Sequence, residues 1–148
     1  MNHFWYIIKH KWFVMVECFK VGIIWRGLIH DFDKLRIGYF LAYQKYKETK
    51  KYIHQQPEVL YPRTGNRAMN KEILRHRKRS PHHWQYYAYG KKNPDPIPDK
   101  YIKEMVCDWK AAAKARGRKD LIGWYLEGRD NMVLHKDTRV KVDKLMGV

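Results

Sequence analysis

Residues 101–113 read YIKEMVCDWKAAA. Tyr101, Met105, Asp108 and Ala112 recur at i, i+4, i+7 and i+11, the period of one α-helical face. That face is apolar apart from its aspartate. A carboxylate turned inward demands a positive partner, because an unpaired buried charge is costly. The chain's 31 Lys and Arg residues offer one kind of partner; a metal ion is the other. The stretch sets the helical period and raises the question of what Asp108 faces.

The same period extends outward in both directions. Residues 3–20 put His3, Ile7, His10, Val14 and Glu17 on one stripe and predict a helix. Gly22 interrupts before a second helix over 23–32, and a third runs over 34–53. Pro57, Pro62 and Gly65 mark an irregular loop, and Met69–Arg77 reads as another helix. Ser80-Pro81 reads as a helix start, with Ser as cap and Pro at the first helical position. That puts His82 and His83 in the first turn of a helix reaching Tyr89. GKKNPDPIPDK, residues 90–100, is a proline-rich loop. The helix that resumes at Lys100 ends near Gly117, a C′ glycine, and two more helices occupy 119–131 and 138–146. No alternating strand pattern is visible. The expectation is one all-α domain, 1–148, of six or seven helices.

The length of 148 residues suits a single domain with its own core. A net charge of +16 favours phosphate-bearing partners, whether nucleic acid, nucleotide or an anionic surface, unless it is only a solvated basic exterior. Cys18 and Cys107 lie inside apolar helical patterns and read as buried free thiols, which suits a reducing cytosol. The apolar N-terminus is interrupted by Lys9, Lys11, Glu17 and Lys20. No uncharged run approaches the roughly 20 residues of a membrane span. The expected location is the cytoplasm, with no membrane partner.

Three further pieces carry chemistry. In LIHDFDK, residues 28–34, Ile23, Gly27 and His30 share a stripe, Asp31 is adjacent and Lys34 lies one turn on. The pair is either a hydrogen-bonded His–Asp at a helix terminus or part of a metal site. HRKRSPHHW, residues 76–84, combines His76, His82 and His83 with Arg77, Lys78 and Arg79, and Arg75 stands just upstream. The cations beside aromatics suggest nucleic acid; the histidines suggest a metal. Trp84, Tyr86 and Tyr87 either stack on a base or pack in the core. His10 stands alone on its stripe, where a histidine is more often a core or boundary residue than a ligand.

The order His10, His30-Asp31, Lys34, His76, His82-His83, Asp108 resembles the HD-domain superfamily of metal-dependent phosphohydrolases. That superfamily carries a histidine, an HD dipeptide and a later aspartate on helices, often with HDxxK and an added histidine pair. The chain is also similar along most of its length to a set of small phage and bacterial proteins with HD..K, NPHHW-like and MV.DW motifs, here HDFDK, SPHHW and MVCDW. That set brings no activity with it.

The resemblance implies an HD-like helical bundle in which His10, His30, Asp31 and Asp108 hold one divalent metal: Mn, Fe, Co, Ni or Zn. With a second ion, Asp31 bridges and His76, His82 and His83 supply the other ligands. His54 competes with His76 as the extra histidine; His76 is preferred for its closeness to the pair and its counterpart in the similar set. Lys34 and Asp31 become the catalytic pair. Arg75, Arg77, Lys78, Arg79 and Trp84 become substrate contacts. The implied reaction is phosphoester hydrolysis, of a nucleotidase or cyclic-nucleotide phosphodiesterase type, in the host cytoplasm for a phage-encoded member. The alternative is a basic protein that binds nucleic acid or nucleotide without catalysis.

Overall fold

The computed structural model describes residues 3–49, 60–62 and 64–148. Among them are eight α-helices and no strand: α1 (His3–Lys20), α2 (Ile24–Ile29), α3 (Ile37–Thr49), α4 (Arg67–Arg77), α5 (Gln85–Ala88), α6 (Asp99–Arg116), α7 (Leu121–Arg129) and α8 (Lys136–Met146). A 3-10 turn, Phe32–Leu35, joins α2 to α3. The all-α expectation holds, with slightly more helices than six or seven. No helix among the described residues is long and apolar enough to cross a membrane.

Helix α6 organises the molecule. Of its expected apolar face, Met105 and Asp108 are buried and Tyr101 and Ala112 half-buried, and burial reaches almost all round the helix: Glu104, Met105, Val106, Cys107, Asp108 and Trp109 are all enclosed. One core forms where α6 meets α5, α7 and α8, around Trp84, Met105, Trp109, Tyr125 and Val142. A second lies between α6 and α1, around Val14, Cys18, Cys107 and Ala111. Both cysteines are free and buried, as their apolar surroundings predict.

The helix ends have local causes. Asn66 caps α4 by accepting from the Met69 amide at 3.0 Å, and Asp120 caps α7 by accepting from the Gly123 amide at 2.7 Å. Gly117 closes α6 in the left-handed conformation at φ 69°, as its position predicts.

Two boundaries differ from expectation. The second helix stops at Ile29, so His30 lies past its end and Asp31 turns left-handed at φ 55°, ψ 26°. The third is divided: the 3-10 turn comes first, Arg36 is extended, and α3 begins at Ile37. Its expected end at 50–53, Pro57, Arg63 and His54 lie outside the described residues.

Ser80-Pro81 does not start a helix. The Ser80 hydroxyl meets His76 Nδ1 at 3.3 Å instead of capping, and its carbonyl accepts from the His83 amide at 3.0 Å. His82 and His83 therefore sit in a turn before the short α5.

Candidate metal centre

Four separate segments meet beside α6. Helix α1 brings His10, the turn after α2 brings His30 and Asp31, the end of α4 brings His76, and the turn before α5 brings His82 and His83. Asp108 and Glu104 come from α6, one turn apart.

Asp31 lies at the middle, and its two oxygens face different ways. Oδ2 lies 3.2 Å from His30 Nε2 and 3.9 Å from His10 Nε2. Asp108 Oδ1 completes that side at 3.0 Å from His10 Nε2 and 3.3 Å from His30 Nε2. Oδ1 lies 3.1 Å from His76 Nε2 and 3.5 Å from His82 Nε2. His83 Nε2 joins this second side, 2.8 Å from His76 Nε2. The donors thus fall into two sets, His10–His30–Asp31–Asp108 and Asp31–His76–His82–His83, that share Asp31.

The far sides of three rings are held by carboxylates. Glu104 Oε1 takes His30 Nδ1 at 3.1 Å and lies 3.3 Å from His82 Nδ1. Arg26 Nε donates to Glu104 Oε2 at 2.7 Å. Asp33 takes His76 Nδ1 at 2.8 Å. In each case Nδ1 is occupied and Nε2 points toward Asp31, the arrangement that orients metal-ligating histidines elsewhere. His30, His82 and Glu104 also make a compact group of their own, but the Arg26 guanidinium already neutralises Glu104. Glu104 is therefore better read as a support than as a ligand.

Burial opposes every charge here. Despite it, Lys34, His30 and His76 hold the Asp31 carboxyl well below its usual range. His30, with His10 beside it, does the same for Asp108. Burial lowers His30 and His76 as well, yet the neighbouring carboxylates win and both rings are raised. His82 is lowered and His83 well lowered, by burial first, so both offer neutral lone pairs near neutral pH. Neutral imidazole is the form that binds metal.

The donor set fits a cation on one further count. His30 Nε2, Asp31 Oδ1 and His82 Nε2 are buried and make no hydrogen bond among the described residues; their neighbours are near but lie off the bonding direction. Buried polar atoms rarely go unsatisfied unless water or an ion completes them. His30 Nε2 belongs to the first donor set, and Asp31 Oδ1 and His82 Nε2 to the second, so each set contains at least one such atom.

Lys34 bonds Asp31 Oδ2. A cleft of about 230 Å³ opens onto His30, Asp31 and His82, with Arg26, Phe32, Asp33 and Arg79 around it. Of the four expected substrate cations, Arg79 alone lines this cleft. Arg75 and Lys78 line a neighbouring cleft with Lys71 and Leu74, which Arg79 shares. Arg77 is half-buried near the end of α4. Trp84 is 1% exposed inside the core, so the expectation that it contacts substrate is corrected: packing against Met105 and its neighbours has claimed the ring.

Sequence reasoning missed Glu104, Asp33 and Arg26. Glu104 was the most accessible of these, because it precedes Asp108 by one helical turn and must share its side of α6.

Fold and site together define an all-α protein with a buried His/Asp/Glu cluster that could hold a metal ion. The chain belongs to the family described as Family of unknown function (DUF5662), whose model matches residues 1–147. Neither a curated protein nor a solved structure matches it.

Proposed function

We propose that the protein is a metal-dependent phosphohydrolase of the HD-domain type, acting on a nucleotide or related phosphoester. The observation that carries this reading is the division of donors around Asp31, with one carboxylate oxygen toward each set. Asp31 would help to hold one divalent transition-metal ion, or both where a second ion binds. His10, His30 and Asp108 would complete one site, and His76, His82 and His83 the other. Mixed imidazole and carboxylate donors suit Mn, Fe, Co, Ni or Zn. When bound, such ions supply Lewis acidity toward a phosphoryl oxygen and a water acidified to near neutral pH.

The chain's own residues do the rest. Lys34, beside Asp31, offsets negative charge on a phosphoryl group as it develops. Arg79 at the cleft mouth holds a phosphate by its guanidinium fork. Glu104 and Asp33 keep His30, His82 and His76 aimed inward. The net charge of +16 draws anionic substrates toward the cleft. Buried free thiols suit a cytosolic location.

The test is a panel of nucleoside mono-, di- and triphosphates and cyclic mono- and dinucleotides, incubated with tag-free protein and Mn. One class is expected to turn over, and Asp31→Ala is expected to reduce that rate at least about 100-fold. Turnover that survives the substitution would place the chemistry elsewhere.

A second reading rests on the cleft of Lys71, Arg75, Lys78 and Arg79, which lies beside the histidines rather than on them. A nucleic-acid-binding role predicts affinity that falls steeply with salt and is indifferent to Asp31→Ala.

A further inference from the structure

Helix α4 serves two clefts. His76 turns inward to Asp31 and is buried. Lys71, Leu74, Arg75 and Lys78 recur at i, i+3, i+4 and i+7, which is one helical face, over about 10 Å. Together with Arg79 they line a cleft of about 290 Å³. Arg79 follows the end of the helix and also lines the cleft that opens onto His30, Asp31 and His82. The basic cleft and the metal cleft therefore adjoin at one guanidinium.

Folding alone does not account for the cations of this face. Lys71 and Arg75 stand four residues apart and Arg75 and Lys78 three, spacings at which like charges destabilise a helix. Among the described residues no carboxylate lines the cleft. Glu72 Oε2 lies 3.6 Å from Arg75 Nη1, too far for a hydrogen bond, and its Oε1 lies beside Gly38 of α3. The carbonyls that end a helix favour cations in the last turn, which covers Arg75 and Arg77. Lys71, a turn earlier, has no such cause. An anion in the cleft accounts for all of them.

The neighbouring rings select the kind of anion. Lys78 Nζ stands 5.6 Å from the Tyr89 ring centroid. Tyr61 packs against Tyr89 at 5.5 Å and is itself exposed by 53%. A positive groove beside an exposed aromatic ring suits single-stranded nucleic acid, with phosphates on the cations and a base on the ring. A polyphosphate makes no use of the ring, and its phosphates, joined through shared oxygens, crowd at one place. The phosphates of a strand are spaced by sugars and can occupy both clefts. A duplex stacks its base faces inside, away from Tyr61.

We propose, resting on the phosphohydrolase reading, that the substrate is a single-stranded oligonucleotide. Its scissile phosphodiester lies over Asp31, and Arg79 leads the strand to a second subsite where Lys71, Arg75 and Lys78 hold neighbouring phosphates. Each cleavage consumes one water. The water oxygen bonds to phosphorus and the bond from phosphorus to one sugar oxygen breaks. One proton goes to that sugar oxygen and the other to solvent, leaving a hydroxyl end and a phosphate-monoester end.

Fluorescence anisotropy of labelled strands of about ten nucleotides tests it, with oligodeoxythymidylate and oligouridylate in separate arms. The tag-free chain is used with Mn, and phosphorothioate linkages keep the strands uncut. Four phosphate contacts predict an affinity loss of about 50-fold from about 50 to 200 mM salt. Lys71→Gln with Lys78→Gln, both at exposed positions, is expected to make the slope of log affinity against log salt shallower by about 1.4. Lys136→Gln with Lys144→Gln, exposed on α8, is expected to leave that slope as it is. With ordinary linkages at least one strand is expected to be cut, and the paired α4 substitutions to raise its KM at least about 10-fold. A slope that those substitutions do not move overturns the proposal, and so does a duplex that binds as tightly as the strand. Turnover of mononucleotides with both strands left intact overturns it while the phosphohydrolase reading stands. No turnover of any phosphoester overturns both.

Discussion

Asp31 is, among the described residues, the non-glycine residue with positive φ. Asp and Asn tolerate the left-handed region better than most side chains, but it still costs about 1–2 kcal/mol. The conformation comes from the abrupt end of α2, and it lets one carboxylate face two sets of imidazoles. The HDFDK stretch disclosed which residues matter here, yet not this turn, because His30-Asp31 also fits an ordinary helix end. Nor did it disclose Asp33 or Glu104 as supports, since each acts only through a ring supplied from elsewhere. Glu104→Gln keeps the shape and removes the charge that orders His30 and His82. A chelator-competition titration is expected to show metal affinity reduced about 10–100-fold. Unchanged affinity would mean that Glu104 does not orient these ligands.

Helix α2 is six residues long and has no side-chain N-cap, so its position depends on packing. Gly27 supplies that packing. A Cβ there would stand 2.9 Å from Cys18 Cβ and 3.0 Å from Met15 Cα, so even alanine must push α2 off α1. His30 follows three residues later and would move with it. Gly27→Ala is expected to lower stability by about 1–3 kcal/mol in denaturant unfolding, and to weaken metal binding although it touches no donor. Loss of stability with intact metal binding would show that α2 does not position His30.

The helices themselves were legible from apolar spacing, and Gly117 marked one end correctly. Ser80-Pro81 misled because a serine that can cap a helix can equally bond a neighbouring side chain. Here the hydroxyl lies against the His76 ring, one turn back.

At the scale of the molecule, the all-α architecture followed from periodicity alone, because helical spacing is a local property. The meeting of α1, the α2 turn, α4, the α5 turn and α6 at one point is a long-range property that no local pattern encodes. The resemblance ordered those residues along the chain, and the fold brought them within reach of one another. The basic charge behaved differently again. It was expected to gather at one mouth, but Arg79 alone among those four cations reaches the cleft over the histidines.

The central claim is that the carboxylates and imidazoles around Asp31 hold metal. Elemental analysis of tag-free protein, followed by thermal melts with Mn, Fe, Co, Ni or Zn restored after chelation, tests it most directly. One or two bound divalent ions per chain are expected, with a fall in melting temperature when they are removed and recovery when one is returned. A metal-free protein whose melting temperature responds to none of these ions would contradict it.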